Sequence, residues 1–252
     1  MLIYQFLIRI YFLLGWLTSF YSNKSKLWIE GRRNWKINLS SLSFANNKWI
    51  WFHCASLGEF NDGKTFIEAL KIKFPQYKIL LTFFSSTGYE QQRNYKHADA
   101  VLYMPLDTKA NARYFLGQIK PSIVFFVRND IWPNYLLEIQ KRGIPVFLYS
   151  FTLSEQSLFL KFPQNIYYKK FFNVFNSIFV HGISDETILM KNKFNNSVFV
   201  SGNSRIDAIL EDGTGAFSDE KINNFLNGDF CVIAGSTYFK DKEIFLFAKA
   251  IV

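Results

Sequence analysis

From residue 48 onward the chain alternates short apolar runs with longer segments of mixed polarity. The runs lie at Trp49–His53, Ile79–Phe84, Ala100–Tyr103, Ile123–Val127, Val146–Tyr149, Ile178–Val180, Val198–Val200 and Phe230–Ala234. Most are bounded by turn-forming or polar residues. Helix-compatible stretches follow several of them, at Lys64–Phe74, Ala110–Gln118, Tyr135–Arg142 and Asp185–Lys193. Runs that are apolar throughout suit parallel strands covered on both faces. Their alternation with helical segments predicts an α/β fold, a parallel sheet with helices on each side. In such sheets ligands bind beyond the carboxyl ends of the strands. The loops after each run are therefore where chemistry belongs.

The two ends of the chain break this rhythm. Leu2 to Tyr21 are mostly apolar, and about twenty such residues can cross a bilayer core. Arg9 sits within the run, where a charge at mid-membrane costs several kcal/mol. No small-residue cleavage site follows, which argues against a removable signal peptide. Lys24, Lys26, Arg32, Arg33 and Lys36 come next, a flank expected on the cytoplasmic side. A spanning helix and an interfacial helix with Arg9 snorkelling toward headgroups both remain open, as does a buried helix of a soluble domain. At the other end, Ser201–Phe217 is rich in Gly, Ser and Asp and reads as an interdomain connection. The expected organisation is an anchor helix over residues 1–22, a domain over 23–204, a linker over 205–217, and the opening of a second, incomplete domain over 218–252. The chain reaches Val252 in an apolar helical run without a stop signal.

Composition narrows the classes. The 252 residues carry 29 Lys and Arg against 20 Asp and Glu, a net charge of +9. With 49% hydrophobic residues the chain is neither disordered nor short of core material. Two cysteines, Cys54 and Cys231, exclude a disulfide scaffold. The positive balance fits nucleic acid, an anionic membrane face or a phosphorylated substrate. Nucleic acid is the weakest of these, because the basic residues are scattered and no zinc-finger or RNA-reading signature is present.

Five loops carry candidate chemistry. The first is Cys54-Ala55-Ser56-Leu57-Gly58-Glu59-Phe60, where Glu59 stands between a strand end and a helix start. It reads either as a carboxylate favoured by the helix dipole or as a general base. The second, Ser85-Ser86-Thr87-Gly88, reads as an anion site or as an ordinary helix cap. The third, Arg128 to Asn134, sets Asp130 beside Trp132-Pro133, as a site wall or a structural turn. The fourth runs from Gly202 to Asp207 and contains Arg205; the fifth is Gly235-Ser236-Thr237. His53, His97 and His181 lack ligand spacing, and no Asp-x-Asp pair, Walker loop, G-x-G-x-x-G or G-x-S-x-G is present. Metal-dependent, ATP-driven and serine-hydrolase chemistry all lose ground.

Taken in order, these segments resemble the 3-deoxy-D-manno-octulosonic acid (Kdo) transferases of lipopolysaccharide synthesis, in wording similar to the Bacteroidetes branch. The resemblance covers essentially the whole chain. It rests on Gly31-Arg32-Arg33, His53 to Glu59 (similar to the family's Ser-x-Gly-Glu loop), Thr82 to Gly88, Tyr103 to Asp107, Trp132-Pro133-Asn134, Arg142 to Pro145, Leu153-Ser154, Gly202 to Asp207 and Ser236-Thr237. It implies a two-domain GT-B glycosyltransferase fold, with a complete Rossmann-like N-terminal domain and a second one only begun. It implies transfer of Kdo from CMP-Kdo to the phosphorylated lipid A precursor, lipid IVA, with no metal or cofactor, at the cytoplasmic face of the inner membrane. Glu59 maps onto the family's proton acceptor. Ser56, Gly58, Ser86, Thr87, Gly88, Asp130, Arg205, Ser236 and Thr237 are then expected to bind substrate. Two departures stand out: Asp130 where the family usually has a glutamate, and Arg128 where many members differ in charge. A non-catalytic glycolipid-binding remnant and one half of a split enzyme are the rival expectations.

Overall fold

The computed structural model describes residues 2–44, 47–157, 159–162, 164–194, 197–212, 219–226 and 235–238. Three helices come first: α1 (Leu2–Thr18), α2 (Asn23–Arg33) and α3 (Trp35–Ser40). Strands and helices then alternate: β1 (Lys48–Cys54), α4 (Leu57–Lys73), β2 (Tyr77–Phe83), α5 (Ser86–Gln92), β3 (Ala100–Tyr103), α6 (Lys109–Ile119), β4 (Ile123–Val127) and α7 (Pro133–Lys141). They continue as β5 (Val146–Phe151), α8 (Gln164–Phe172), β6 (Ser177–Val180), α9 (Ile183–Lys191), β7 (Ser197–Val200), α10 (Ser204–Asp212) and α11 (Glu220–Leu226).

The seven strands form one sheet in the order β3-β2-β1-β4-β5-β6-β7, and each neighbouring pair is parallel. The predicted parallel α/β architecture holds, and all seven apolar runs between residues 49 and 200 are strands. The eighth run, Phe230–Ala234, and the helical run from Asp241 lie outside the described residues. Within the stretch expected as a linker, residues 205–217, α10 runs through Asp212. Its apolar Ile206, Ile209 and Leu210 recur at helical spacing, a period masked by the Gly, Ser and Asp around them.

Strand geometry sorts β1 between two cores. Trp49 and Trp51 join the larger one with Phe115, Phe126, Tyr135 and Leu136, from β4, α6 and α7. Ile50, Phe52 and Cys54 join the other with Phe60 and Ile67 of α4. Alternate residues of a strand point to opposite faces, so one seven-residue run serves both layers. By the same alternation His53 falls on the side of Trp49 and Trp51, inside the larger core.

The N-terminal helices are built onto this sheet. Arg32 is buried, its guanidinium donating to the carbonyls of Met104, Trp28 and Phe84. It lies between the rings of Trp28 and Phe84, at 4.3 and 4.6 Å, with Tyr103 at 5.1 Å. Burial lowers its pKa to about 9. Tyr4 of α1 donates to Asp107 Oδ2 at 2.7 Å, and Gln5 donates to Asn134 Oδ1 at 2.6 Å. No helix among the described residues is long and apolar enough to cross a membrane.

The chain divides into two compact units, Met1–Leu210 and Glu211–Val252. Within the second, the described residues are the end of α10, α11 and the exposed turn Gly235–Tyr238.

Candidate active site

Strand order reverses between β1 and β4: the chain winds outward from β1 through β2 to β3, then returns to β4 on β1's other side. Loops leaving the carboxyl ends of these two strands part from each other, and a crevice opens at such a switch point. The loop after β1 carries Ser56, Gly58 and Glu59; the loop after β4 carries Arg128, Asn129 and Asp130.

Ser56 is the N-cap of α4. Its hydroxyl accepts the N–H of Glu59 at 3.4 Å, and Glu59 Oε2 accepts the N–H of Ser56 at 2.9 Å. This reciprocal capping box fixes the carboxylate at the helix start. Glu59 thus stands in the first turn of α4, which does not exclude a role as a base. Burial, and then the neighbouring Asp130, push the Glu59 pKa up to about 8. The backbone hydrogen bonds and Arg128 work in the opposite direction without cancelling the rise. Glu59 lines a recess of about 270 Å³ with Ser56, Gly58, Arg128, Asn129 and Thr152.

Asp62, one turn further along α4, is buried and holds two arginines. Arg128 Nη1 lies 3.1 Å from its Oδ2, and Arg205 Nε lies 2.8 Å from its Oδ1. Arg205 also donates from Nη2 to the Gly58 carbonyl at 3.0 Å, joining the start of α10 to the Glu59 loop. The Ser204 hydroxyl donates to the Asp62 carbonyl. Arg128 adopts φ 62°, in the left-handed region uncommon for a non-glycine residue. One carboxylate thus positions two guanidiniums and leaves their sum positive beside the recess.

Behind Asp130 stands a buried polar chain. Trp51 Nε1 donates to Thr82 Oγ1 at 2.8 Å, and the same oxygen meets His53 Nδ1 at 2.8 Å. The other imidazole nitrogen, Nε2, lies 3.5 Å from Asp130 Oδ2, and among the described residues neither of these two buried atoms has a hydrogen-bond partner. Complete burial lowers the His53 pKa, against the pull of Asp130.

The structure therefore gathers Ser56, Gly58, Glu59, Asp130 and Arg205 beyond the carboxyl ends of β1 and β4. The Ser85 loop adjoins them, its N–H donating to the Ala55 carbonyl at 2.7 Å. Its polar groups are spent locally, however. Ser85 caps α5 by accepting the N–H of Gly88, and buried Ser86 donates to the Lys24 carbonyl. A Cβ at Gly88 would stand 2.6 Å from the Phe83 ring, so that glycine is a close-packing position. Thr87 alone of the three expected residues there is exposed. Ser236 and Thr237 belong to the second unit, in an exposed turn.

The sequence reading gave Asp62 no role, named His53 and Thr82 only within motifs, and placed Arg128 in the third candidate loop and among the departures from the family pattern. Asp62 had a signal in its spacing, three residues after Glu59, on the same face of the helix. His53 had one in its register, a polar residue on the Trp49–Trp51 face of an apolar strand. Among the described residues no three His, Cys, Asp or Glu side chains form a set able to hold a metal ion.

A doubly wound parallel sheet with its polar cluster at the switch point defines the class, a Rossmann-like domain of GT-B type. The same fold occurs in UDP-GlcNAc 2-epimerase from Neisseria meningitidis bound to UDP-GlcNAc, at TM-score 0.52 and 17% identity, over 72% of this chain and 54% of that one. The model of the family described as 3-deoxy-D-manno-octulosonic-acid transferase (kdotransferase) matches residues 30–208, and the chain belongs to that family. It is 28% identical over 218 residues to a bifunctional glycosyltransferase/methyltransferase of Fusobacterium nucleatum, covering 80% of this chain and 32% of that protein. It is 31% identical over 110 residues to a 3-deoxy-D-manno-octulosonic acid transferase of Chlamydia muridarum, covering 43% of this chain and 26% of the relative. The chain thus spans about a quarter to a third of the length of these curated relatives.

Proposed function

We propose that this chain supplies the acceptor side of a Kdo transfer from CMP-Kdo to the phosphorylated lipid A precursor, lipid IVA, with Glu59 as proton acceptor. The observation that carries this reading is the Glu59 carboxylate, fixed at the switch-point crevice with its pKa raised to about 8. A sugar hydroxyl is a weak nucleophile near neutral pH, and a positioned base contributes ~10²–10⁴-fold. Such a base works best when its pKa lies near the working pH. In the step, the acceptor oxygen bonds to the anomeric carbon of Kdo and its proton passes to Glu59. The bond from that carbon to the phosphate oxygen breaks, and CMP leaves with the electron pair.

The remaining residues divide the other tasks. Arg128 and Arg205, pinned by Asp62, present positive charge where anionic substrates enter the recess. Asp130 sets the field felt by Glu59, and His53 backs Asp130. Ser236 and Thr237 are assigned to the nucleotide-sugar side. No cofactor and no metal is invoked.

Attachment to the cytoplasmic face of the inner membrane is part of the same proposal. It is supported by α1, which leaves Ile3, Phe6, Leu7, Leu13, Leu14 and Leu17 exposed while its Tyr4 and Gln5 are tied to the domain. An apolar row of this kind suits a helix lying in the interface. Transfer of labelled Kdo from CMP-Kdo to lipid IVA, by the enzyme that carries this chain, tests the reading. Absence of transfer in the presence of both substrates contradicts it.

A further inference from the structure

A second recess lies away from Glu59, between α1, the start of α6 and α7. It encloses about 730 Å³ and shares no lining residue with the Glu59 recess. Four cations line it: Arg9 from α1, Lys109 and Arg113 from α6, and Lys141 from α7. None of the four forms an ion pair among the described residues. The acid in the wall, Glu138, is already taken by Arg142, which meets its Oε1 through Nη2 at 2.9 Å and Nε at 3.0 Å. An adjoining hollow of about 470 Å³ shares Arg9, Lys109 and Arg113 and continues past Thr108.

Four like charges around one cavity repel each other, and water alone neutralises none of them. The cavity also has an apolar side. Phe6 and Leu137 line it, and Phe6 belongs to the exposed apolar row of α1. A ligand that suits both features is an anionic headgroup with acyl chains attached. The charge count favours a phosphate monoester, which carries about −1.5 to −2 near pH 7, over a phosphodiester with its single charge.

We infer that the Arg9–Lys109–Arg113–Lys141 recess binds the phosphomonoester headgroup of a membrane lipid whose chains lie along α1. The site orients the domain on the bilayer by a specific contact, in addition to the burial of apolar side chains. It stands independently of the transfer chemistry, because no residue of the Glu59 cluster takes part.

The test is flotation of the chain with phosphatidylcholine vesicles containing either phosphatidic acid, a monoester, or phosphatidylglycerol at matched total charge. The chain is expected to bind the phosphatidic acid vesicles several-fold better. Replacing all four cations (R9Q, K109Q, R113Q and K141Q together) should lower that binding roughly tenfold or more, to the phosphatidylglycerol level. Replacing Lys191 and Lys193 with Gln removes two charges elsewhere and should leave the preference intact. Circular dichroism of each variant establishes that it is folded. Equal binding to the two lipids, or a preference that survives the fourfold replacement in a folded protein, overturns the inference. Inorganic phosphate alone, titrated by calorimetry, separates the remaining source: binding as tight as to the lipid would make this a free-phosphate site and overturn the lipid assignment. Kdo transfer is not read in any arm, so failure here leaves the assignment of Glu59 untouched.

Discussion

Glu59 and Ser56 cap each other: the carboxylate accepts the N–H of Ser56 while the Ser56 hydroxyl accepts the N–H of Glu59. A structural duty and a catalytic one therefore fall on the same side chain. The cap fixes the carboxylate; the surrounding burial and Asp130 decide its proton affinity.

The first consequence is a pH profile. A general base must be deprotonated, so transfer rises with pH and its acid limb falls near 8. Asp130→Asn removes the second of the two causes that raise the pKa, and the limb should move toward the ordinary carboxylate range. Stability runs the other way. A raised folded-state pKa favours the protonated form, so Glu59's contribution is present below its ordinary value of 4.5 and is lost as pH rises through about 8. Glu59→Gln should flatten that part of the urea-stability profile. A limb that Asp130→Asn leaves in place would refute the coupling between the two carboxyl groups.

Asp62 holds Arg128 and Arg205 together, so its loss frees both. Asp62→Ala should lower the unfolding free energy by about 2–3 kcal/mol, the scale of hydrogen bonds to charged groups. Arg205→Lys keeps the charge but cannot reproduce contacts from two separate guanidinium nitrogens. Equilibrium urea denaturation of the two variants checks this, with Arg205→Lys expected to be the milder.

Gly31 lies against Tyr103, where an added Cβ would come within 2.1 Å of the ring. Gly31→Ala should cost about 1–3 kcal/mol by overpacking. Adding Tyr103→Leu should return part of that loss, giving a double-mutant cycle far from additive. Additive effects would mean that the helix accommodates the methyl group by moving away.

Tyr4→Phe removes one hydrogen bond between α1 and Asp107, leaving the carboxylate to accept the N–H groups of Asn134 and Tyr135. Local opening of α1 should become easier by about 1–1.5 kcal/mol, close to tenfold in amide exchange. Exchange of the sheet amides should not change.

Much of this was legible in residue order, for identifiable reasons. Continuous apolar runs such as Ile123–Val127 are read directly, because a strand buried on both faces leaves no ambiguity of register. The position of Glu59, between a strand end and a helix start, was legible in the residues, whereas its role as a base came from the family resemblance. The Asp62 clamp was not, because its partners Arg128 and Arg205 lie 66 and 143 positions away and only the sheet order brings them together. The Ser85 loop shows the converse. Its Ser, Ser, Thr, Gly wording suits an anion site, yet packing against Phe83 and α2 consumes most of its groups. Helices α2, α3 and α8 went unmarked, being short or polar and held by tertiary contacts such as those of Arg32.

The central claim is that the Glu59 carboxylate takes the acceptor's proton. Glutamine at 59 can still accept the Ser56 N–H and keep the capping box, so Glu59→Gln should fold with wild-type stability at a pH where Glu59 is protonated. The direct measurement is Kdo transfer from CMP-Kdo to lipid IVA by the enzyme that carries this chain, wild type against Glu59→Gln, with lipid binding measured alongside. A loss of ~10²–10⁴-fold in turnover with lipid binding retained is the predicted result. Unchanged turnover by the folded variant would contradict it.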